Sequence, residues 1–485
     1  MKKHTILLLL LLSTAVSVAQ DSLSLYRCRQ LALQHNRRIA SATVRKEQAS
    51  HTLQSVRANF FPNLKFNSLG MLSTASGSLN TPASPLPVYQ YSAQTGGHVP
   101  MVMADAQGNV LGLAQFAEFP AMQVKYDMHR FFNASLMLTQ PLYMGGKVQA
   151  AYRMAKIGSQ MAEQGRQLTA QEVLVEVDEA YALLVKAREL ADVARAYSRL
   201  LAELERTVES AIRHGMRTRN DLLKVKVNLN RSQLDVTRAD HAERLARMNL
   251  CHVIGLPLDS AVCVTAPRWQ EVSKQAEAAV EKGAGGASLE RRPEYALLDQ
   301  QTQMARQQVK MTRADFLPQL AAFATGGYAY GGKVKVDAIT ALAGTQTLYD
   351  HTLADQFTAS AGVSLSVPLF HFGERRGKIR SAKAALRMAE IDRADKTEQM
   401  QLELAQACNA LDEQLSACRI AVLSVEQATE NLRLSRSAYD AGTETMSDLL
   451  EAQALWQQAK AEEIDARAQL IQALSKWQKA AGCLF

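Results

Sequence analysis

The sequence predicts a mainly α-helical chain, written twice, with four membrane-type β-strands that only other copies of the chain can close into a barrel. Three observations carry this reading. The first is a duplication: Arg57-Ala58-Asn59-Phe60-Phe61-Pro62 returns as Arg313-Ala314-Asp315-Phe316-Leu317-Pro318. Gln140-Pro141-Leu142-Tyr143-Met144-Gly145-Gly146 returns as Val367-Pro368-Leu369-Phe370-His371-Phe372-Gly373, and one constant offset then relates Gly215 to Gly442, Asp221 to Asp448 and Gly255 to Gly482. A period this long is a repeated half-molecule, beyond any solenoid unit. The second observation is a pair of long proline-free tracts, after Pro141 and after Pro368, rich in Ala, Leu, Glu, Gln, Lys and Arg. Such composition favours helix. The third is strict alternation near each proline. Phe357, Ala359, Ala361, Val363, Leu365 and Val367 share one face, with Thr358, Ser360, Gly362, Ser364 and Ser366 on the other. An apolar face towards lipid and a polar face towards water is the pattern of a membrane strand.

The elements follow in order. Lys2 and Lys3, an apolar run from Ile6 to Leu12, and Ser17-Val18-Ala19 read as a secretory signal over 1–19, with Gln20 the first mature residue. The first repeat covers 20–256. It holds a helix from His35 to Asn59, strands near 63–72 and 127–140, and a Gly-, Pro- and Ser-rich loop between them with an added surface hairpin at Val102 to Leu111. In the second strand Phe132, Ala134, Leu136 and Leu138 oppose Asn133, Ser135 and Thr139. A helix over 147–213 would measure about 100 Å if straight. Its stripe Val173, Val177, Ala180, Leu184, Ala187, Ala191, Ala194, Ser198 and Leu201 keeps the alternating spacing of a coiled-coil seam. A second stripe (Leu183, Leu190, Tyr197, Leu204) asks for a second neighbour. A turn leads to a helix over 219–254. A linker spans 257–290. The second repeat, 291–485, runs helix, strands near 319–330 and 357–367 around a loop from Gly331 to Asp355, helix 374–440, turn, and helix 446–481.

Both turns carry Gly-x-x-Thr-x-x-Asp-Leu-Leu: Gly215, Thr218 and Asp221, then Gly442, Thr445 and Asp448. Glycine suits the left-handed residue past a helix end. Thr218 and Thr445 are N-caps, and the aspartates complete a capping box. Aromatics gather where strands meet helices: Phe60, Phe61, Tyr143, Phe316, Phe370 and Phe372. That is where an interfacial belt sits.

The formal charge of +8 over 485 residues is a mild excess and no sign of a nucleic-acid partner. Ten histidines are scattered without ligand spacing, and neither a phosphate loop nor a nucleophile motif appears. The sequence therefore predicts no enzyme, no cofactor and no metal centre. Asp127 with His129, and Asp350 with His351, read as chance neighbours near loop or strand ends, and Met101, Met103, Met122 and Met128 read as strand and loop packing. Of six cysteines, Cys251 and Cys263 are the nearest loop-compatible pair, and most of the six read as small buried apolar residues.

Four strands cannot close a barrel. In lipid, an open sheet would leave two edges of unpaired N–H and C=O groups, each worth several kcal/mol. Copies of the chain remove those edges: two would supply a filled barrel, three or four an open one. The competing reading is a periplasmic coiled-coil scaffold without a pore, which explains the helices but not the strands.

The doubled R-A-x-F-x-P before the first strand of each half, the doubled x-P-L-[YF]-x-x-G after the last, and the doubled Gly-x-x-Thr-x-x-Asp-Leu-Leu turn resemble the TolC-type outer-membrane efflux channels. The resemblance covers nearly the whole mature chain. It implies a homotrimer with a 12-stranded barrel in the outer membrane and an α-barrel in the periplasm, with residues near Trp269 in an equatorial region. It implies the exit duct of a tripartite efflux or type I secretion system, with a periplasmic adaptor protein, an inner-membrane transporter and outer-membrane lipid as partners. The family closes its periplasmic aperture with polar links at the helix tips. By position these fall on Asp221, Tyr439, Asp448 and Glu451. The family's arginine position holds Glu444, while Arg217 sits in the other half. Gly215, Thr218, Gly442 and Thr445 would lie in the adaptor-docking turns.

Overall fold

The structure, a computed structural model, describes residues 23–214, 216–286, 288–340, 344–370 and 372–484. The expected leader, Gly215 of the first turn and Phe485 lie outside the described residues. The chain divides into two compact units.

The strand unit takes Ser55–Gln149 and Lys310–Arg376. Its main sheet is antiparallel throughout, in the order β1 (Asn63–Leu72), β9 (Ala121–Met144), β10 (Gln319–Thr340), β11 (Gly344–Ser366), with β2 (Ser76–Thr81) added to β9. Pairing puts Leu64 opposite Leu138, Phe66 opposite Leu136, Ala322 opposite Val363 and Tyr328 opposite Phe357, so one face is apolar. The other face joins Asn63 to Thr139, Asn67 to Ser135 and Thr325 to Ser360. Among the described residues nothing covers the apolar face: Phe357 is 70% and Leu365 64% exposed. β1 and β11 are the edges.

Two expectations for this unit are corrected. The segment from Gly331 to Asp355 is not a long loop: β10 and β11 continue as one ribbon to Thr340 and Gly344. Polar residues hid the strands. Lys333, Lys335 and Asp337 occupy the polar face, where Asp337 is buried, accepts from Thr347 Oγ1 at 2.9 Å and pairs with Lys335 at 3.3 Å. The segment from Thr74 to Lys125 is likewise strand-rich. Three short ribbons lie inside it: β3 (Ser84–Pro87) with β8 (Phe116–Phe119), which encloses β4 (Tyr89–Ser92) with β5 (Gly97–Pro100), and β6 (Val102–Ala104) with β7 (Val110–Leu113). The last is the surface hairpin; the first two were masked by Pro85, Pro87 and Pro100, which sit on edges where no ladder N–H is needed.

The helical unit takes the described residues of Met1–Gln54, Ala150–Val309 and Gly377–Phe485. The N-terminal region holds two helices, α1 (Leu25–His35) and α2 (Arg37–Ala58). The break between them is Asn36, whose side chain donates to Val253 O at 2.7 Å and accepts from Arg38 N at 2.8 Å. α3 (Lys147–Arg213) is one uninterrupted helix, and α4 (Arg219–Ile254) follows it. Every residue of the seam from Val173 to Leu201 is buried except Ser198, while Leu183 of the second stripe stays exposed. α5 (Trp269–Lys282) precedes α6 (Pro293–Ala314), α7 (Glu374–Ala441) and α8 (Met446–Ala480). Val264 bridges in parallel to Leu23. No described helix is long and apolar enough to cross a membrane. All six cysteines are free thiols; Cys251 turns its Sγ to Ser260 O instead of pairing with Cys263.

Candidate functional site at the helix tips

The tip is built from two local devices and one long-range contact. Where α4 begins, Thr218 Oγ1 accepts from Asp221 N at 3.3 Å, and Asp221 Oδ2 accepts from Thr218 N at 3.2 Å. Where α8 begins, Thr445 and Asp448 repeat the box at 3.3 and 2.9 Å. Each box satisfies two helix-end N–H groups that otherwise lack partners. The Thr445 side chain and backbone hold the Asp448 carboxyl below the usual carboxylate range, so it is ionised at neutral pH. Gly442 turns the chain with φ of 77° and donates to Tyr439 O at 3.0 Å.

The long-range contact joins the halves. The Arg217 guanidinium lies 4.1 Å from the Tyr439 ring centroid, and its Nη2 donates to Tyr439 O at 2.8 Å. Tyr439 is buried in a small core with Val208, Val225, Met446 and Leu449. Burial pushes its phenol above the usual range, against the pull of Arg217. Lys224 Nζ reaches Ser447 Oγ at 2.9 Å. Thus Arg217 is brought to Tyr439, Asp221 to Thr218 and Asp448 to Thr445. Glu451 is exposed one turn beyond Asp448, and Glu444 is half-buried in the turn. Arg217→Ala is expected to lower stability by about 1–2 kcal/mol, the combined worth of a desolvated cation–π contact and a hydrogen bond. Arg217→Lys, which keeps the charge but loses the planar stack, should recover less than half. Denaturant melts of the two variants check this.

A second cluster was not foreseen. Asp178 of α3 is fully buried; Arg29 of α1 donates to it through Nε at 2.7 Å and Nη2 at 2.5 Å, and Ser475 of α8 adds its hydroxyl. Burial pushes the Asp178 carboxyl upward, against the pull of Arg29. Nearby, Tyr181 donates to Thr265 O, Arg188 to Val264 O at 3.1 Å, and Lys186 pairs with Asp465. The only signal in the sequence was an aspartate inside an apolar stripe, between Val177 and Tyr181. This belt holds four distant segments together and has no open nucleophile. Among the described residues, no group of three or more His, Cys, Asp or Glu is placed to hold a metal ion.

Comparison with known proteins matches this architecture. The family profile described as outer membrane efflux protein fits residues 28–256 and 285–483. The alkaline protease secretion protein AprF of Pseudomonas aeruginosa is 27% identical over 322 residues, 66% of this chain and 63% of AprF. The match thus spans less than two thirds of that relative. Among solved structures, the Campylobacter jejuni CmeC outer membrane channel superposes with a TM-score of 0.68 at 17% identity, covering 95% of this chain and 86% of that one. The outer membrane protein VceC of Vibrio cholerae gives 0.66 at 15%, covering 94% and 96%. The Neisseria gonorrhoeae MtrE outer membrane channel, in its open state, gives 0.65 at 17%, covering 95% and 89%. At these identities the structural likeness speaks for the fold, and the family profile speaks for descent. With both halves of the duplication matched in tandem, the chain belongs to the outer membrane efflux protein family.

Proposed function

We propose that this protein is the outer-membrane exit duct of a tripartite efflux or type I secretion system: a passive channel of three identical chains. A periplasmic adaptor and an inner-membrane transporter would be its partners. The observation that carries the reading is the sheet of four main strands, with one apolar face left bare and two open edges, β1 with its continuation β2, and β11. Lipid covers such a face, and the neighbouring copy's strand completes each edge. Three copies give twelve strands, enough for a wet lumen lined by the polar face. A scaffold without a pore has no use for this sheet. The family is one of channels, and the duct performs no chemistry of its own.

At the tips, threefold symmetry turns Asp221 and Asp448 into rings of carboxylates that favour cations. The Arg217–Tyr439 contact holds the two helix pairs of one chain together beside those rings. Glu444 and Glu451 would add negative charge, and the turns around Gly215, Thr218, Gly442 and Thr445 would meet the adaptor. The test is conductance in a planar bilayer. Asp221→Ala and Asp448→Ala are each expected to raise single-channel conductance and to lower cation preference under a salt gradient. Unchanged conductance and selectivity in both would remove these carboxylates from the gate, and a wild type that forms no pores would overturn the channel itself. For cargo, AprF takes its name from alkaline protease secretion. That favours an exported protein as one branch of the reading, to be tested by protein release from cells lacking the chain.

A further inference from the structure

The two copies of the strand-to-helix turn differ at one telling position. After β9, Gly145 and Gly146 take left-handed backbone, with φ of 61° and 84°. Gly145 has no alternative, because a Cβ there would lie 2.7 Å from Leu317 Cβ and 2.8 Å from Ala314 O. In the second copy the position of Gly145 is filled by Phe372, with φ of 36°, followed by Gly373 at 92°. A left-handed phenylalanine costs about 1–2 kcal/mol. Among the described residues nothing offsets this through burial: Phe372 is 92% exposed, Phe370 72% and Leu369 90%. The Phe370 and Phe372 rings meet edge to face with centroids 4.5 Å apart, so the two form one apolar knob.

The knob comes just after β11 in the chain. The row Phe357, Val363, Leu365 runs on through Val367 to Leu369, all exposed. Next in the chain, after Gly373 and Glu374, come Arg375 and Arg376, both exposed, in the first turn of α7. Cations there oppose the helix dipole, so they do not serve the helix. The first copy shares only the exposed Leu142 and Tyr143, at the places of Leu369 and Phe370, and has Val148 and Gln149 in place of the two arginines. Its turn is Gly-Gly, and the following Lys147 is engaged by Asp315 at 2.7 Å. Aromatic and aliphatic side chains backed by arginines are the signature of a surface that meets an anionic bilayer.

We propose that Leu369, Phe370, Phe372, Arg375 and Arg376 form an interfacial anchor for anionic phospholipid. The rings would lie at the acyl boundary and the guanidiniums on headgroup phosphates. This rests on the outer-membrane reading and deepens it by naming the lipid class. The experiment is a titration of the purified protein in neutral detergent with phosphatidylglycerol or phosphatidylcholine. Bound lipid is counted by native mass spectrometry, and melting is followed in parallel. Phosphatidylglycerol is expected to bind and to raise the melting temperature, and phosphatidylcholine is not. Arg375→Gln with Arg376→Gln should weaken phosphatidylglycerol binding about thirtyfold, without altering the lipid-free melt. Phe372→Gly removes the strain, so it should melt no lower than wild type while losing lipid.

Full retention of phosphatidylglycerol by the double arginine variant overturns the proposal. So does an equal melting shift from inorganic phosphate, which would make the site a free-anion site. So does a Phe372→Gly oligomer that dissociates more readily on sedimentation, which would show that the knob faces another copy. A wild type that forms pores but ignores headgroup charge overturns the anchor and leaves the channel standing. A wild type that forms no pores and takes up neither lipid overturns both.

Discussion

Replacing Asp178 by alanine is expected to lower the unfolding free energy by about 3–5 kcal/mol. The carboxylate is fully buried, and it is the acceptor for two arginine donors and one hydroxyl. Its partners come from α1 and α8, so one residue of α3 ties three segments that lie far apart in the chain. Removing it strands the Arg29 guanidinium, whose side chain is 28% exposed, and leaves Ser475 without an acceptor. Asp178→Asn keeps the volume but not the charge, and should fall between alanine and wild type. The informative control is Arg29→Met with Asp178→Leu. Burial already works against the ionised Asp178, so an apolar pair of similar volume should restore most of the loss. Denaturation midpoints at unchanged slope, for the protein in one detergent, measure all three. If the alanine variant unfolds with the wild type, the cluster does not hold the belt together. If the apolar pair is as unstable as alanine, the fold needs the charges themselves.

What could be read from the sequence was what is local or repeated. The Thr218–Asp221 and Thr445–Asp448 boxes join residues three apart, so their geometry follows from spacing alone. The α3 seam shows in the chain because a helix repeats its face every turn, and all its residues but Ser198 are buried. The lipid face of β11 shows because Phe357 to Val367 alternate without a break. Beyond Gly331 the same strand pair went unseen. There Lys333, Lys335 and Asp337 alternate with Val334 and Val336, and a charged face on a solvated ribbon resembles a loop. The Arg217–Tyr439 contact was half legible. Both residues fall at the tips by position, but only the folded chain shows that the arginine of one half stacks on the tyrosine of the other. Arg29, Asp178 and Ser475 were not legible at all, since no periodicity links three points so distant. Phe372 was visible as an aromatic, while its left-handed backbone was not.

The duplication supplies its own control for the last prediction. Gly255 and Gly482 occupy equivalent places after α4 and α8, and both are left-handed, with φ of 79° and 71°. On backbone conformation alone, alanine at either should cost about 1–2 kcal/mol. Their surroundings separate them. A Cβ on Gly482 would stand 3.2 Å from Ser288 O, a contact that a small shift relieves. A Cβ on Gly255 would stand 2.4 Å from His35 O and 2.7 Å from its carbonyl carbon. That neighbour is backbone and cannot rotate away. Nor can it slide freely, because the next residue, Asn36, is fixed by its buried bond to Val253 O at 2.7 Å. Gly255→Ala is therefore expected to cost about 3 kcal/mol or more, adding overpacking to the conformational term. Gly482→Ala should stay near the conformational term. Equal melts for the two variants would mean that α1 yields without resistance at His35. The coupling is tested by adding Asn36→Ala to Gly255→Ala. Once the asparagine no longer pins the break between α1 and α2, His35 can retreat from the new methyl. The double variant should then lose less than its two single variants together.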